Sequence, residues 1–135
     1  MRVCCVLALM TVALWPARAR AAPEGVWSIG GKVAVQVFDC SGLLCGRIVW
    51  LRNPSLRTPQ MCGRTVLWGL QPTAAAQWSG GWFYDPENGK TYNVSAFQQA
   101  PDVITARIYE GFTFLGRTET LQRITPGSFE GWCRS

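Results

Sequence analysis

The stretch GGWFYDPENGKTY (residues 80–92) places an aromatic-rich run on each side of DPENG (residues 85–89). The Asp85 side chain can accept a hydrogen bond from the backbone two residues on, and Pro86 presets φ for a type I turn. Asn88 and Gly89 tolerate the positive φ that returns the chain. This stretch is therefore predicted to form a β-hairpin.

The same alternation of short apolar runs and turn residues continues on both sides of the hairpin. The predicted strands cover residues 25–27, 33–38, 46–51, 64–70, 78–84, 90–97, 103–110 and 112–124. Prolines make residues 52–63 irregular, and residues 71–77 are predicted to be a connection with room for a helical turn. Because closure hides both edges of such a meander, we predict an all-β fold: one antiparallel up-and-down β-barrel of about eight strands. A two-sheet β-sandwich is the alternative.

The two faces of the central hairpin differ in composition. Without a bulge, Trp78, Gly80, Trp82 and Tyr84 share one face with three residues of the partner strand, Tyr92, Val94 and Ala96. This face is the stronger candidate for the interior, although a bulge would exchange the inward and outward faces of one strand relative to its partner. The tryptophans are interpreted as core residues or as the wall of an apolar cavity.

The first 21 residues have the layout of a secretory signal peptide. A short basic start precedes an apolar run from Val3 to Trp15, and Ala17 to Ala21 offers Ala-x-Ala cleavage sites. The run is too short for a transmembrane anchor. We therefore predict cleavage after Ala21, one domain over residues 22–135, no transmembrane anchor after cleavage, and a periplasmic or secreted protein.

Removal of this leader changes the charge of the chain. Three of the 13 Lys and Arg residues lie in it and all 8 acidic residues lie beyond it, so the formal charge falls from +5 to +2. No basic patch is visible, and nucleic acid is not expected as a partner.

Four cysteines lie beyond the leader. An even number in an exported chain predicts disulfides, and four cysteines allow three connectivities. A Cys40–Cys45 bond would close one hairpin, and a Cys62–Cys133 bond would then tie the tail to the middle of the chain. Free thiols are the alternative. A zinc site is less favoured because the spacing is wrong and the chain has no histidine.

Several motifs together resemble one known family. They are Gly25-Val26-Trp27, Asp39-Cys40 through Cys45 to Leu51, Asn53-Pro54, Met61-Cys62-Gly63, WFYDP (residues 82–86), GKTY (residues 89–92) and LGRT (residues 115–118). In this order they resemble the small exported bacterial proteins of domain of unknown function 2147. The resemblance implies a lipocalin-like barrel around a potential ligand cavity, with no settled activity. Leu121 departs from the family, which usually has a tryptophan there.

The lipocalin likeness also predicts a contact where the barrel closes. A Gly-x-Trp on the first strand and an arginine on the last meet at that point. We predict that Trp27 is covered by Arg123 or Arg117 in a cation–π contact. Independently solvated or salt-bridged arginines are the alternative.

Three functions remain open from the sequence. The favoured one is binding of a small, largely apolar or amphipathic ligand, with candidate residues Trp82, Tyr84, Tyr92, Arg107 and Arg117. Tyrosine offers an apolar body with a hydroxyl tip, and arginine could hold a carboxylate head group. Each of these residues is equally open to a structural role.

The second is an envelope interaction or inhibitor protein that acts through residues 52–63, with its protein partner unknown. The third is an enzyme of unknown reaction. Catalysis is disfavoured because the chain has no histidine, which is the commonest general base. No catalytic residue, metal or cofactor is predicted.

Overall fold

The computed structural model describes residues 12–14, 22–125 and 133. Most of the predicted leader therefore lies outside the described residues, and the cleavage site and domain boundary stay predictions. Within the described ranges, no helix has the length and apolar character needed to cross a membrane.

Eight antiparallel strands form a closed barrel in chain order. They are β1 (Gly25–Ile29), β2 (Val33–Cys40), β3 (Leu43–Leu51), β4 (Thr65–Ala74), β5 (Gln77–Asp85), β6 (Lys90–Ala100), β7 (Val103–Tyr109) and β8 (Arg117–Arg123). Short 3₁₀ helices cover Pro54–Leu56 and Thr113–Leu115. The predicted up-and-down barrel is confirmed, and the sandwich alternative is wrong because β1 pairs with β8.

Several predicted boundaries differ from the structure, and two of the differences change how a connection is described. The expected connection over residues 71–77 has no helical turn, because β4 continues to Ala74 and β5 begins at Gln77. The expected strand over residues 112–124 begins only at Arg117. Gly116 explains the second difference, because a Cβ there would overlap Ile108 O and lie 2.6 Å from Tyr109 Cβ. The chain presses against β7 at this point, and the residues before it form a separate loop.

A bulge in β5 reverses the faces expected for the central hairpin. Trp78 pairs with Ala96, but Gly81 rather than Gly80 pairs with Val94, so β5 carries one extra residue. Gly80 has a φ of 73°, which suits a glycine at such a bulge. From there on, odd-numbered residues of β5 point inward.

The prediction that Trp82 and Tyr84 face the interior is therefore wrong. Phe83 is 3% exposed and belongs to the core, whereas Trp82 is 44% exposed. The predicted inner face of β6 holds, since Val94 is buried and Tyr92 and Ala96 pack against the core.

The half of the barrel towards the β2–β3, β4–β5 and β6–β7 turns, which we call the lower barrel, is filled mainly by aliphatic side chains around one tryptophan. Trp27, Val35 and Ile48 are at most 1% exposed. An eight-stranded barrel is just wide enough to be filled in this way. Trp27 is thus a core residue, and the interior is not the aromatic-lined cavity that the tryptophan count suggested.

Arg123 lies over Trp27 where β1 meets β8. The two residues are register partners, and the guanidinium carbon lies 4.4 Å from the ring centroid. The indole Nε1 donates to Pro23 O at 2.7 Å. The structure thus pairs Trp27 with Arg123 rather than with Arg117. A Cβ on Gly25 would lie 2.5 Å from Arg123 Nη1, which explains a glycine two residues before the tryptophan.

Two disulfides fasten the barrel. Cys40 bonds to Cys45 across the β2–β3 turn, and Cys62 bonds to Cys133, 71 residues later. The Cys133 N–H also donates to Val49 O at 2.9 Å. The tail is therefore joined covalently to the β3–β4 connection.

Candidate functional site at the open end of the barrel

Alternate connections of an up-and-down barrel lie at the same end. The β1–β2, β3–β4, β5–β6 and β7–β8 connections therefore share one end, which we call the open end. It consists of residues 30–32, 52–64, 86–89 and 110–116. The β2–β3, β4–β5 and β6–β7 turns form the opposite end.

A cavity of about 480 Å³ opens at this end. Its apolar floor is made by four buried side chains from four strands, Ile29, Val33, Phe83 and Ile108. Inward alternation places these residues one layer above the filled core around Trp27. The volume is within the usual range of about 300–1,000 Å³ for small-molecule sites.

The rim of the cavity is charged. The charged lining residues are Lys32, Asp85, Glu87, Arg117 and Glu119, which sum to a formal charge of −1. Arg117 and Glu119 reach the cavity because β8 pairs them with the inward residues Ile108 and Ala106 of β7. An apolar floor below a polar rim fits an amphipathic molecule.

Arg117 lies at the centre of this rim and is already paired. Its Nη2 is 3.3 Å from Asp85 Oδ2, and its Nε is 3.0 Å from Glu119 Oε1. Its guanidinium also lies over the Tyr92 ring at 5.3 Å. These contacts argue against the hypothesis that Arg117 holds a ligand carboxylate, since a third carboxylate would compete with two already in place.

The surroundings of Arg117 raise its pKa. Partial burial lowers the pKa, but hydrogen bonds to Glu119 and Tyr92 and the charges of Glu119 and Asp85 raise it by more. The guanidinium is therefore a fixed positive charge at any working pH.

Asp85 has a turn role and a site role. Its Oδ1 accepts a hydrogen bond from Glu87 N–H at 2.9 Å, as the turn sequence predicts, while Oδ2 accepts from Arg117. Tyr92 supports the same turn, because its hydroxyl accepts from Asn88 Nδ2 at 2.8 Å. Thus Tyr92 positions the rim but does not line the cavity.

Of the five predicted ligand residues, only Arg117 lines the cavity; Trp82, Tyr84 and Arg107, like Tyr92, lie outside its lining. Trp82 stacks on Trp68 on the outer face of the barrel, with ring centroids 6.3 Å apart. By its register Tyr84 lies on the outer face as well, but it is half-buried and packs against the core, and the Arg64 guanidinium covers its ring at 4.2 Å. The β5 bulge accounts for both positions.

Arg107 points outward because its neighbours on β7 point inward. It donates to Thr118 Oγ1 at 3.2 Å and borders a separate outer depression of about 230 Å³. Trp82, Tyr84 and Arg107 therefore do not line the cavity, and a role for them in ligand binding stays a prediction.

Lys32, Phe83, Ile108 and Glu119 line the cavity but were not predicted from the sequence, and Asp85 was expected to have only a turn role. One signal was available. Every second residue of β7, namely Ile104, Ala106 and Ile108, faces inward. The same two-residue period on β8 puts Glu119 on the same face as Arg117, so both could have been predicted to lie together. In the part of the chain that the structure describes, no three His, Cys, Asp or Glu residues are grouped so as to hold a metal ion.

Comparisons with known proteins agree on family and fold. The family model described as "Uncharacterized protein conserved in bacteria (DUF2147)" matches residues 25–123. No curated protein matches the chain. A solved structure described as protein HP1028 from the human pathogen Helicobacter pylori, of the lipocalin family, is similar at 19% identity. The match has a TM-score of 0.63 and covers 78% of this chain and 85% of that one.

Proposed function

Because the chain belongs to the DUF2147 family of bacterial proteins and has a lipocalin-like fold, we propose that it binds a small amphipathic molecule at the open end of its barrel. The observation that carries this proposal is the cavity of about 480 Å³ with an apolar floor and a charged rim. The lower barrel is filled, so the ligand lies in the upper part only. Binding rather than catalysis is the activity proposed.

The charges of the rim favour a neutral or cationic head group. Three carboxylates and two cations line the cavity, and one of the two cations, Arg117, is already ion-paired with Asp85 and Glu119. A cationic head is attracted electrostatically to the Asp85 and Glu119 carboxylates, and a neutral polar head can donate hydrogen bonds to them, without displacing Arg117. An anionic head would add a fourth carboxylate to a rim that is already net negative.

The compartment proposed for this binding is the periplasm or the exterior of the cell. The two disulfides support it, because such bonds persist in oxidising compartments. The predicted leader supports it independently.

Titration calorimetry with three decyl amphiphiles tests the proposal. Their heads are trimethylammonium, maltoside and carboxylate, and each is kept below its micelle concentration. We expect the first two to bind at least about tenfold more tightly than the carboxylate. Glu119→Gln should weaken trimethylammonium binding about 3–10-fold and leave maltoside binding unchanged. Val33→Phe fills the floor of the cavity and should weaken binding of both.

Arg107→Gln is the matched control, because it removes an arginine from the outer face of the neighbouring strand and should change no affinity. Thermal unfolding of each variant checks that the barrel is intact. If the wild-type protein bound none of the three amphiphiles, or if Val33→Phe bound them as the wild type does, the proposal would be wrong.

A further inference from the structure

The β7–β8 connection exposes three large apolar side chains beside the cavity. Phe112, Phe114 and Leu115 are 64%, 74% and 62% exposed, more than Trp82 and Phe97 at 44% each. The two phenylalanine rings stack on each other, with centroids 5.5 Å apart. They therefore form one small apolar tip that the barrel does not cover.

The base of this loop is held in place. Gly116 presses against β7, as described above, and β8 begins at the next residue with Arg117 in its ion pairs. The loop thus projects from a fixed position at the open end. An exposed apolar cluster of this kind marks an interaction site rather than a packing feature.

Charge differs between the two ends of the barrel. Among the described residues, the open end has four cations and two anions, a net of +2: Lys32, Arg52, Arg57 and Arg64 against Glu87 and Glu110. The opposite end has one cation and three anions, a net of −2: Arg123 against Glu24, Asp39 and Asp102. The apolar tip therefore lies at the positive end.

We propose that the Phe112–Leu115 loop inserts into the interface of an anionic phospholipid membrane and docks the open end of the barrel against it. Aromatic and leucine side chains are favoured at that depth, and the Lys and Arg residues on the other connections of the open end are attracted to anionic head groups. A membrane fits better than a protein partner, because a projecting tip of four residues is far smaller than the roughly 800 Å² per partner of a stable protein interface.

This inference goes beyond ligand binding and does not depend on it. Docking would nevertheless place the mouth of the cavity next to lipid, which is a source of amphipathic molecules.

Vesicle flotation of the oxidised full chain tests the docking. The probes are vesicles of phosphatidylcholine alone and of phosphatidylcholine with about one-quarter phosphatidylglycerol. We expect the wild-type protein to float with the anionic vesicles, and binding should fall when salt is raised from about 0.1 M to about 1 M, which shortens the Debye length from about 10 Å to about 3 Å. The triple variant Phe112→Ser, Phe114→Ser, Leu115→Ser should bind at least about tenfold more weakly.

Phe97→Ser is the matched control, because it removes an exposed phenylalanine from the outer face of β6 and should bind as the wild type does. Val33→Phe, which fills the cavity, should also float normally and so separates docking from ligand binding. Failure of the wild type to float with anionic vesicles would overturn the proposal. So would normal flotation of the triple variant, and binding of uncharged vesicles as strongly as anionic ones would overturn the role of charge.

Discussion

Arg123 joins three parts of the chain that are distant in sequence. Its guanidinium donates to Ala22 O and Glu24 O at 2.6 Å each, and to Pro101 O at 3.0 Å. It also lies over the buried Trp27 ring. One side chain therefore fixes the entry to β1, the β6–β7 turn and the closure of the barrel.

Replacing Arg123 by methionine should destabilise the protein substantially. The variant keeps the length of the side chain but loses three charge-assisted hydrogen bonds and the cation–π contact, so we expect a loss of about 2–4 kcal/mol in the free energy of unfolding. Arg47→Met is the control, since Arg47 is exposed, contacts Phe38 at 5.0 Å, and should cost less than about 1 kcal/mol. Urea unfolding measures both, and equal losses would contradict a special role for Arg123.

Arg117 contributes stability without a pH dependence near neutrality. Its pKa is raised in the folded state, so its contribution is fully present below the unfolded-state pKa. That contribution is lost only as the pH rises through the folded-state pKa, above any working range. A change in ligand affinity near neutral pH would therefore not come from Arg117.

At the scale of elements, one extra residue in β5 determines which aromatic side chains are inside. The bulge at Gly80 shifts the pairing between Trp78 and Gly81, and every later residue of β5 changes face. Gly81 then lies inward, where a Cβ would be 2.6 Å from Leu70 Cγ. β5 therefore lies close to β4 at Gly81, and beyond this point the aromatic residue that β5 contributes to the core is Phe83 rather than Trp82.

Alanine substitutions of these two adjacent aromatics test the assignment of faces. Phe83→Ala removes a buried side chain and should lower the free energy of unfolding by about 3–5 kcal/mol. Trp82→Ala removes only an outer stacking contact with Trp68 and should cost about 1 kcal/mol. Chemical denaturation measures both variants, and a larger loss for Trp82→Ala would show that the faces are reversed.

At the scale of the whole molecule, the two disulfides enclose loops of very different length. Cys40 and Cys45 are 5 residues apart, whereas Cys62 and Cys133 are 71 residues apart. The short bond constrains a turn that the hairpin already makes. The long bond restricts the unfolded chain over most of the barrel.

The long disulfide should therefore stabilise the protein more. The chain-entropy model gives a loss of about 4 kcal/mol for Cys62→Ala with Cys133→Ala, and about 2 kcal/mol for Cys40→Ala with Cys45→Ala. Calorimetric unfolding of the two double variants measures the difference. Equal losses would contradict the entropic explanation.

Much of the fold was predictable because its signals are local. The DPENG turn, the alternation in β2 and β7 and the prolines after β3 identify strands and connections from neighbouring residues alone. The pairing of Trp27 with Arg123 was also within reach, since closure brings the first and last strands together. The cavity was less predictable, because its residues come from five strands and two turns.

The alternating pattern thus determined that the chain forms a closed β-meander, because period-two alternation and turn chemistry act over only a few residues. The faces of β5 and the composition of the open end depended on the tertiary structure. A bulge is selected by how closely two backbones can approach, and a cavity is what remains where side chains from distant strands fail to fill the barrel. Neither depends on any single stretch of sequence.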